Sequence, residues 1–254
     1  MSVAPAAKAS KARPVKSADR TIDLLEVLAE ASERLTLTQL QHRLGIPKSS
    51  LHGLLITLVA RGWVDEGGGG YGIGLRALRT GAAYLDRDRV VRAAGPVLAA
   101  LQRRLDETIH LARLDGSSVV YLASRESPHH LRMISRIGHR LPAHATALGK
   151  ALLATRDQAS VDALLPGTLP ALTPGTLTDR ERLWADLAET RERGWAYESG
   201  ENTPGLCCFA VAIPNSHPAD YALSCSIPIA RLTQEHQRAI IAALTEGADE
   251  LRYA

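Results

Sequence analysis

The sequence predicts an α+β protein with two folded domains, and three observations support this. The 254 residues are 45% hydrophobic and 22% charged, which is typical of a folded soluble chain long enough for two modest domains. Residues 17–74 hold three short helical patterns followed by a hairpin pattern. Between residues 108 and 227, strand-like runs stand first and last with helical patterns between them, which favours one mostly antiparallel sheet.

Charge distinguishes the front of the chain from the remainder. Residues 1–92 hold 14 Lys and Arg against 9 Asp and Glu, a net charge of +5, whereas the remainder carries −2. Residues 1–16 are predicted to be a flexible basic arm, for which a disordered terminus and a contact to the DNA backbone are both open. A basic front ahead of a slightly acidic remainder indicates a nucleic-acid-binding module joined to a different domain.

Three helices and a hairpin are predicted over residues 17–74. The first helix is expected to begin at Ser17 as its N-cap, and the second to run from Thr36 or Thr38 to Gly45. The third helix is predicted to open with Pro47 in its first turn, to end at Gly62, and to bury Leu51, Leu54, Leu55 and Leu58. Four glycines at 67–70 form the tip of the hairpin. This order is the pattern of a winged helix-turn-helix DNA-binding domain.

The third helix presents a polar face to solvent when its leucines are buried, because each residue rotates the helix by ~100°. Such a face can enter the major groove of double-stranded DNA and offer donors to base edges and phosphates. An ordinary three-helix domain with a solvated polar face is the alternative. The candidate DNA-binding residues are Lys48, Ser49, Ser50, His52 and Thr57.

Residues 75–92 are predicted to be a linker helix. An apolar stripe runs along one side of it, at Leu75, Leu78, Ala82 and Leu85. This stripe must be buried against a neighbour, and a symmetry mate is a natural one, so we expect a homodimer at least.

The second domain is predicted to cover residues 93–254. A helix near 90–107 leads into it, and Asp115-Gly116 marks a hairpin between strand-like runs at 108–114 and 118–123. A further strand is expected over 131–137 and a small-residue helix over 146–154. The remaining helices are expected at 157–165, 178–193 and 233–253, and the remaining strands at 195–199, 207–213 and 221–227.

Composition argues against several classes of protein. No uncharged apolar run approaches the ~20 residues that a membrane span needs, and the N-terminus lacks the apolar core of a signal peptide, so we expect a cytoplasmic protein. Cys207, Cys208 and Cys225 are too few and too clustered for a disulfide framework. Neither Cys-x-x-Cys nor His-x₃-His spacing occurs, so no metal site or cofactor is expected.

Three motifs, in order along the chain, resemble the IclR family of bacterial transcriptional regulators. The first is Ile46-Pro47-Lys48-Ser49-Ser50-Leu51-His52, which is similar to the family's recognition-helix signature. The second is GHRLPAHATALGKALLA at residues 138–154, which is similar to the family's most characteristic segment. The third comprises Gly194-Trp195-Ala196, Glu201-Asn202 and Gly205-Leu206-Cys207-Cys208. The resemblance covers about residues 17–254, and the chain is identified as a member of this family.

The resemblance implies a GAF-like effector-binding domain after the linker helix, in a dimer or dimer of dimers that binds a palindromic operator. It also implies that a small organic acid binds at the start of the Gly-Lys-Ala helix, where the amides of Ala147 and Leu148 would hold the anion. Ser224 and Ser226 match pocket positions and lie two apart on a strand, so both face the same side. The other positions that match the family's pocket are Glu198 and Cys208, which are polar, and Met133, Leu141 and Leu206, which are apolar.

Some positions depart from the family's pattern. Gly53 stands where a basic residue commonly follows the recognition-helix His, which leaves the operator sequence unpredictable. The acidic run before the Gly-x-x-Cys element is reduced to Glu198-Ser199-Gly200-Glu201, and Ala212 replaces the usual proline. The latter changes lie at the pocket, so the ligand can differ from that of better-known members.

Two functions from different classes follow. The first is a ligand-responsive regulator of a catabolic operon, a repressor or an activator, that senses a small organic or aromatic acid. The alternative is a small-molecule enzyme with an appended DNA-binding module. A Cys-His pair is possible on composition, but no neighbouring residue marks Cys208 as an activated nucleophile.

Overall fold

The computed structural model describes residues 15–133 and 136–254, and the chain divides into two compact units. The first unit ends at Tyr84, and the second runs from Leu85 to Ala254. Nearly all of the predicted basic arm lies outside the described residues. In the two described ranges, no helix combines the length and the apolar character needed to cross a bilayer.

The described part of the first unit begins with three helices and a two-stranded hairpin, and most of a fourth helix follows them. The helices are α1 (Lys16–Glu30), α2 (Leu37–Leu44) and α3 (Lys48–Ala60), and the strands are β1 (Val64–Gly67) and β2 (Gly70–Ile73). One apolar core joins them, with Leu24 and Leu28 of α1 buried against Leu40, Leu51, Leu55 and Leu58. The predicted winged helix-turn-helix is confirmed.

Local signals set most of the boundaries in this unit. Thr36 and Gln39 form a reciprocal capping box at the start of α2, and Gly45 ends that helix in the left-handed conformation at φ 62°. The prediction that Ser17 caps α1 is wrong. The helix begins at Lys16 after Val15, and no side chain caps it.

The glycine-rich tip of the hairpin is a two-residue turn. Gly67 pairs with Gly70, and Gly68 and Gly69 between them have φ values of +60° and +78°. Two positive φ angles in succession match the right-handed twist of the flanking strands, and glycine adopts them without a steric penalty.

Two helices follow the hairpin: α4 (Leu75–Arg87) and α5 (Arg89–Leu105). Asp88 separates them, because its side chain accepts a hydrogen bond of 3.0 Å from the Val91 amide and caps α5. The break therefore comes slightly before the end of the predicted linker helix at residue 92.

The second unit is built on one six-stranded sheet in the order β5-β4-β3-β8-β7-β6, with every neighbouring pair antiparallel. This confirms the prediction of a mostly antiparallel sheet. The strands are β3 (Thr108–Asp115), β4 (Ser118–Arg125), β5 (Arg140–Pro142), β6 (Ala196–Ser199), β7 (Leu206–Ala212) and β8 (Tyr221–Pro228).

Helices cover both faces of this sheet. Together, α5 and α9 (Gln234–Glu250) pack on the face that carries Ile109 and Leu111, whereas α6 (Ala147–Ala154) and α8 (Arg180–Arg193) form the second core on the face that carries Ala112. A short helix, α7 (Gln158–Leu164), adds Val161 to the second core. Since side chains alternate along a strand, the polar residues between the apolar ones all point to the α6 face.

The strand predicted over residues 131–137 is wrong for the described residues of that stretch, and β5 begins only at Arg140. Leu131 and Ile137 are exposed, so their apolar side chains bury nothing against the sheet. Two main-chain carbonyls of this stretch accept hydrogen bonds from side chains: the Thr108 hydroxyl donates to the Met133 carbonyl, and Arg231 donates to the Leu131 carbonyl. A strand needs a ladder partner and a buried face, and residues 131–133 and 136–137 have neither.

Candidate DNA-binding and effector sites

Helix α3 buries Leu51, Leu55 and Leu58 and exposes all five candidate DNA-binding residues. No side chain caps its start, so the amides of its first turn, at Lys48 and Ser49, face solvent without a side-chain partner. The Thr57 hydroxyl donates to the Gly53 carbonyl at 3.0 Å, which leaves its oxygen able to accept a hydrogen bond. The start of α3 therefore combines the positive charge of Lys48 with the hydroxyls of Ser49 and Ser50 and with free amide donors, and Thr57 adds a hydroxyl near the other end of the helix. These groups suit contacts with DNA.

A cavity lies in the second unit, between the start of α6 and the polar face of the sheet. Its free volume is about 10 Å³, which is room for roughly one water molecule. An organic acid therefore has to displace side chains of the wall, and Met133, which is flexible and half-buried, is suited to moving. Eight of the nine predicted effector residues line this cavity: Met133, Ala147, Leu148, Glu198, Leu206, Cys208, Ser224 and Ser226.

The start of α6 offers two free amide donors to the cavity. Thr146 caps the helix and accepts a hydrogen bond of 3.0 Å from the Gly149 amide, while the Lys150 amide bonds the Thr146 carbonyl. The amides of Ala147 and Leu148 have no partner within the described residues. Unpaired amides at the positive end of a helix dipole form a site for a carboxylate.

Opposite these amides, one row of polar side chains crosses four strands. The register pairs Thr108 with Ser226, Ser226 with Cys208, and Cys208 with Glu198. The Cys208 Sγ and Ser226 Oγ atoms are 3.2 Å apart. The Ser226 hydroxyl, the Cys208 thiol and the Glu198 carboxyl therefore form a connected set of donors and acceptors on the floor of the cavity.

Among the described residues that line the cavity, Glu198 alone carries a carboxyl group. Its Oε2 atom accepts a hydrogen bond of 2.9 Å from the Glu201 amide. Burial raises the pKa of the Glu198 carboxyl, although hydrogen bonds from Cys208 and from the Glu201 and Asn202 amides oppose that rise. Protonation of Glu198 is therefore easier than protonation of an exposed glutamate.

Cys208 is not an activated nucleophile. Burial, together with the charge of Glu198, raises the pKa of the Cys208 thiol well above its usual value. A neutral thiol is a weak nucleophile, and no imidazole of the described residues bonds Cys208, so the arrangement suits ligand binding rather than covalent catalysis.

A buried ion cluster holds α6 in place. Lys150 is fully buried, with its Nζ atom 2.5 Å from Glu201 Oε1 and 3.2 Å from Asp186 Oδ2 on α8. The Glu201 amide bonds Glu198, so the cluster is connected directly to the wall of the cavity.

Comparison with known proteins identifies the family. Residues 17–67 match the IclR helix-turn-helix domain, and residues 82–253 match the family described as bacterial transcriptional regulator IclR C-terminal. The chain belongs to the IclR family. It is a DNA-binding transcriptional regulator and not an enzyme, so the enzyme alternative is wrong.

Individual IclR relatives match most of the chain. The HTH-type transcriptional regulator XynR of Escherichia coli is 38% identical over 204 residues, covering 79% of this chain and 81% of XynR. The transcriptional repressor IclR of the same organism is 34% identical and covers 94% of this chain and 90% of IclR. Among solved structures, an IclR-type regulator from Alicyclobacillus acidocaldarius superposes with a TM-score of 0.85 at 28% identity, covering 94% of this chain and 98% of that one.

The structure also adds cavity residues that the sequence did not indicate, and it leaves one predicted residue aside. Tyr121, Thr146, Asn202 and Thr203 line the cavity, whereas Leu141 lies on β5 paired with Val119 and is not part of the lining. Thr146 was detectable as an N-cap residue before Ala147. Tyr121 was not, because its place on the cavity wall, with its ring against that of His110, depends on how β4 and β3 pair.

Proposed function

We propose that this IclR-family protein regulates a catabolic operon in the cytoplasm. It binds a palindromic operator through the exposed face of α3, as a homodimer or dimer of dimers, and responds to a small organic acid. The observation that carries the effector proposal is the pair of free amides at Ala147 and Leu148 facing hydroxyl groups across one cavity. The carboxylate of the acid binds the amides, and its apolar part packs against Met133, Leu148 and Leu206.

Binding of benzoate, measured by calorimetry on the full-length protein, tests the effector site. We expect the affinity to rise as the pH falls from about 8 to about 5.5, a range in which the acid stays ionised. An anion beside Glu198 raises the pKa of that carboxyl further, so binding takes up a proton, and binding weakens as the pH rises through that pKa. Glu198→Gln should make the affinity independent of pH, because the amide oxygen still accepts from Glu201 but no longer titrates.

Ser226→Ala is the matched variant in the same experiment. Loss of one donor to a charged group should weaken benzoate binding by about ten- to a hundredfold at every pH. The dependence of the affinity on pH should stay as in the wild-type protein. If Ser226→Ala left the affinity unchanged and Glu198→Gln kept the slope, the acid would bind elsewhere.

Substitutions on α3 test the DNA-binding face. On a duplex selected by the wild-type protein from random sequences, His52→Ala and Ser49→Ala should cost about 1–3 kcal/mol of specific binding and little on random DNA. Lys48→Ala should weaken binding to the selected duplex and to random DNA alike. It should also reduce the slope of log affinity against log salt concentration by about one. His42→Ala is the control, since this exposed residue lies on α2. Gel-shift titrations in which α3 and His42 variants behave alike would refute this face as the reader.

The apolar side of α4 is the proposed contact between subunits. Leu75 and Leu78 are each 67% exposed, and α4 buries none of its residues. Of the predicted stripe, Leu85 instead packs at the edge of the core that contains Ile109 and Leu111. Two exposed leucines on one helix are stabilised when a second copy covers them.

Leu78→Asp should therefore dissociate the oligomer, because it would place an unpaired charge in the contact. The control is Leu172→Asp, another exposed leucine, in the second unit. Light scattering at micromolar concentration provides the mass. A monomeric wild-type protein, or a Leu78→Asp variant with the wild-type mass, would contradict the proposal.

A further inference from the structure

A second row of polar side chains crosses the sheet beside the row that ends at Glu198. The register places His110 on β3 directly between Ser124 on β4 and Ser224 on β8. His110 alternates with Ile109 and Leu111, which are buried in the opposite core, so all three polar residues face the α6 side. No apolar packing accounts for three adjacent polar side chains on this face.

His110 is a neutral imidazole in contact with the cavity wall. It is fully buried, and burial lowers its pKa to about 3. Its Nδ1 atom is 3.5 Å from Ser224 Oγ, and its ring meets the Tyr121 ring edge-on at 4.9 Å between centroids. Ser224 and Tyr121 both line the cavity, so the imidazole lies immediately behind it.

Two polar atoms of this row lack a hydrogen-bond partner in the described part of the chain. Within the described residues, His110 Nε2 and Ser124 Oγ are buried without a hydrogen bond. An unpaired buried polar atom costs about 1–3 kcal/mol of stability, so each such atom in a native protein requires an explanation. Two of them lie on adjacent strands, behind the wall of the cavity that Ser224 and Tyr121 line.

We propose that the effector cavity has a second polar end, formed by His110 and Ser124 beside Ser224, and that the effector is a hydroxylated organic acid whose hydroxyl group binds there. This inference rests on the proposed effector site, since the carboxylate of the same molecule binds the Ala147 and Leu148 amides. Binding requires the wall at Tyr121 and Ser224 to open toward His110, in keeping with the small free volume of the cavity.

The chemistry of the row selects a hydroxyl over other groups. The Nε2 atom of a neutral imidazole donates in one tautomer and accepts in the other, and a serine hydroxyl does both. A hydroxyl on the ligand can satisfy either tautomer, whereas a carbonyl can satisfy only one. A second carboxylate would have to shed its water beside a neutral imidazole, with no positive side chain in the row to compensate it.

Matched acids that differ by one hydroxyl test the inference on the full-length protein. The probes are benzoate and its three monohydroxy isomers, and butanoate and its three monohydroxy isomers, titrated by calorimetry. At least one hydroxy acid should bind about ten- to a hundredfold more tightly than its parent, because the parent leaves the row unpaired. In Ser124→Ala and His110→Phe that ratio should fall to about one while the affinity for the parent acid is kept.

A structural role for the row would give a different result. Thr190→Val is the control, because Thr190 Oγ1 is also buried without a partner but lies on α8 outside the cavity lining. Thr190→Val should leave the ratio of the two affinities unchanged. Without ligand, the Ser124→Ala protein should unfold at the wild-type temperature or above it, since the substitution removes an unpaired hydroxyl. The second polar end is refuted if the wild-type protein prefers no hydroxy acid over its parent, or if neither Ser124→Ala nor His110→Phe changes that preference. Either result leaves the proposed carboxylate site at Ala147 and Leu148 unaffected. Failure of every acid to bind the wild-type protein overturns the proposed effector site as well.

Discussion

Gly149→Ala is expected to destabilise the second unit by about 3 kcal/mol or more and to abolish acid binding. A Cβ atom at this position would lie 2.1 Å from the Ala143 carbonyl oxygen and 2.3 Å from the Ala143 Cα. These are backbone atoms, and the Ala143 amide is itself bonded to the Ser117 carbonyl at 2.9 Å, so they cannot move aside cheaply. The first turn of α6 would shift instead, and the amides of Ala147 and Leu148 would shift with it.

Gly81→Ala is the matched control for this substitution. Gly81 lies within α4, and a Cβ atom there would meet nothing within 4 Å. Alanine in an open helical position should be neutral or stabilise by up to about 1 kcal/mol. Urea denaturation and calorimetry with benzoate measure both effects. A Gly149→Ala protein as stable as Gly81→Ala, with acid binding intact, would show that the close approach to Ala143 is unimportant.

Lys150→Met is expected to cost about 3–5 kcal/mol of unfolding free energy, the second large effect. Lys150 is fully buried between Glu201 and Asp186, whose side chains are also mostly buried. Without the lysine, two carboxylates remain close together in a region of low dielectric with no positive charge between them. The loop that carries Glu201 also positions Glu198, so acid binding should weaken along with stability.

A double variant separates the loss of charge pairing from the loss of packing. Lys150→Met combined with Glu201→Gln removes one of the two carboxylates and should recover part of the lost stability. Arg252→Ala is the control, because Arg252 and Asp249 form an ion pair at the surface, where such pairs contribute about 0–1 kcal/mol. Equal stability of the Lys150→Met and Arg252→Ala proteins in urea denaturation would refute the importance of the buried cluster.

The helix-turn-helix was predictable because its determinants are local. The capping box at Thr36, the left-handed Gly45 and the turn at Gly68-Gly69 each act within a few residues of the chain. The same reasoning failed over residues 131–137, where an apolar alternation resembles a strand but the described residues, 131–133 and 136–137, have no ladder partner. Alternation is a local property, whereas pairing is decided by strands that are distant in the sequence.

Part of the effector cavity was accessible from the sequence through its motifs. Ser224 and Ser226 share a face because alternation within one strand dictates it, and Ala147 and Leu148 open a helix whose cap, Thr146, directly precedes them. Leu141 matched an apolar position of the pocket, yet it pairs with Val119 on β5 and lies outside the lining.

The sequence by itself determined the order of elements and the polar face of α3, since each depends on residues within one or two helical turns. The resemblance to the IclR family, and not local geometry, indicated the amides of Ala147 and Leu148 at the start of α6. Only the tertiary structure decided that His110 lies between Ser124 and Ser224, and that Lys150 meets Glu201 and Asp186. Ser224 is 114 residues from His110 along the chain, and Glu201 is 51 residues from Lys150. Sheet register and helix packing bring them together, and both follow from how the whole domain buries its apolar surface.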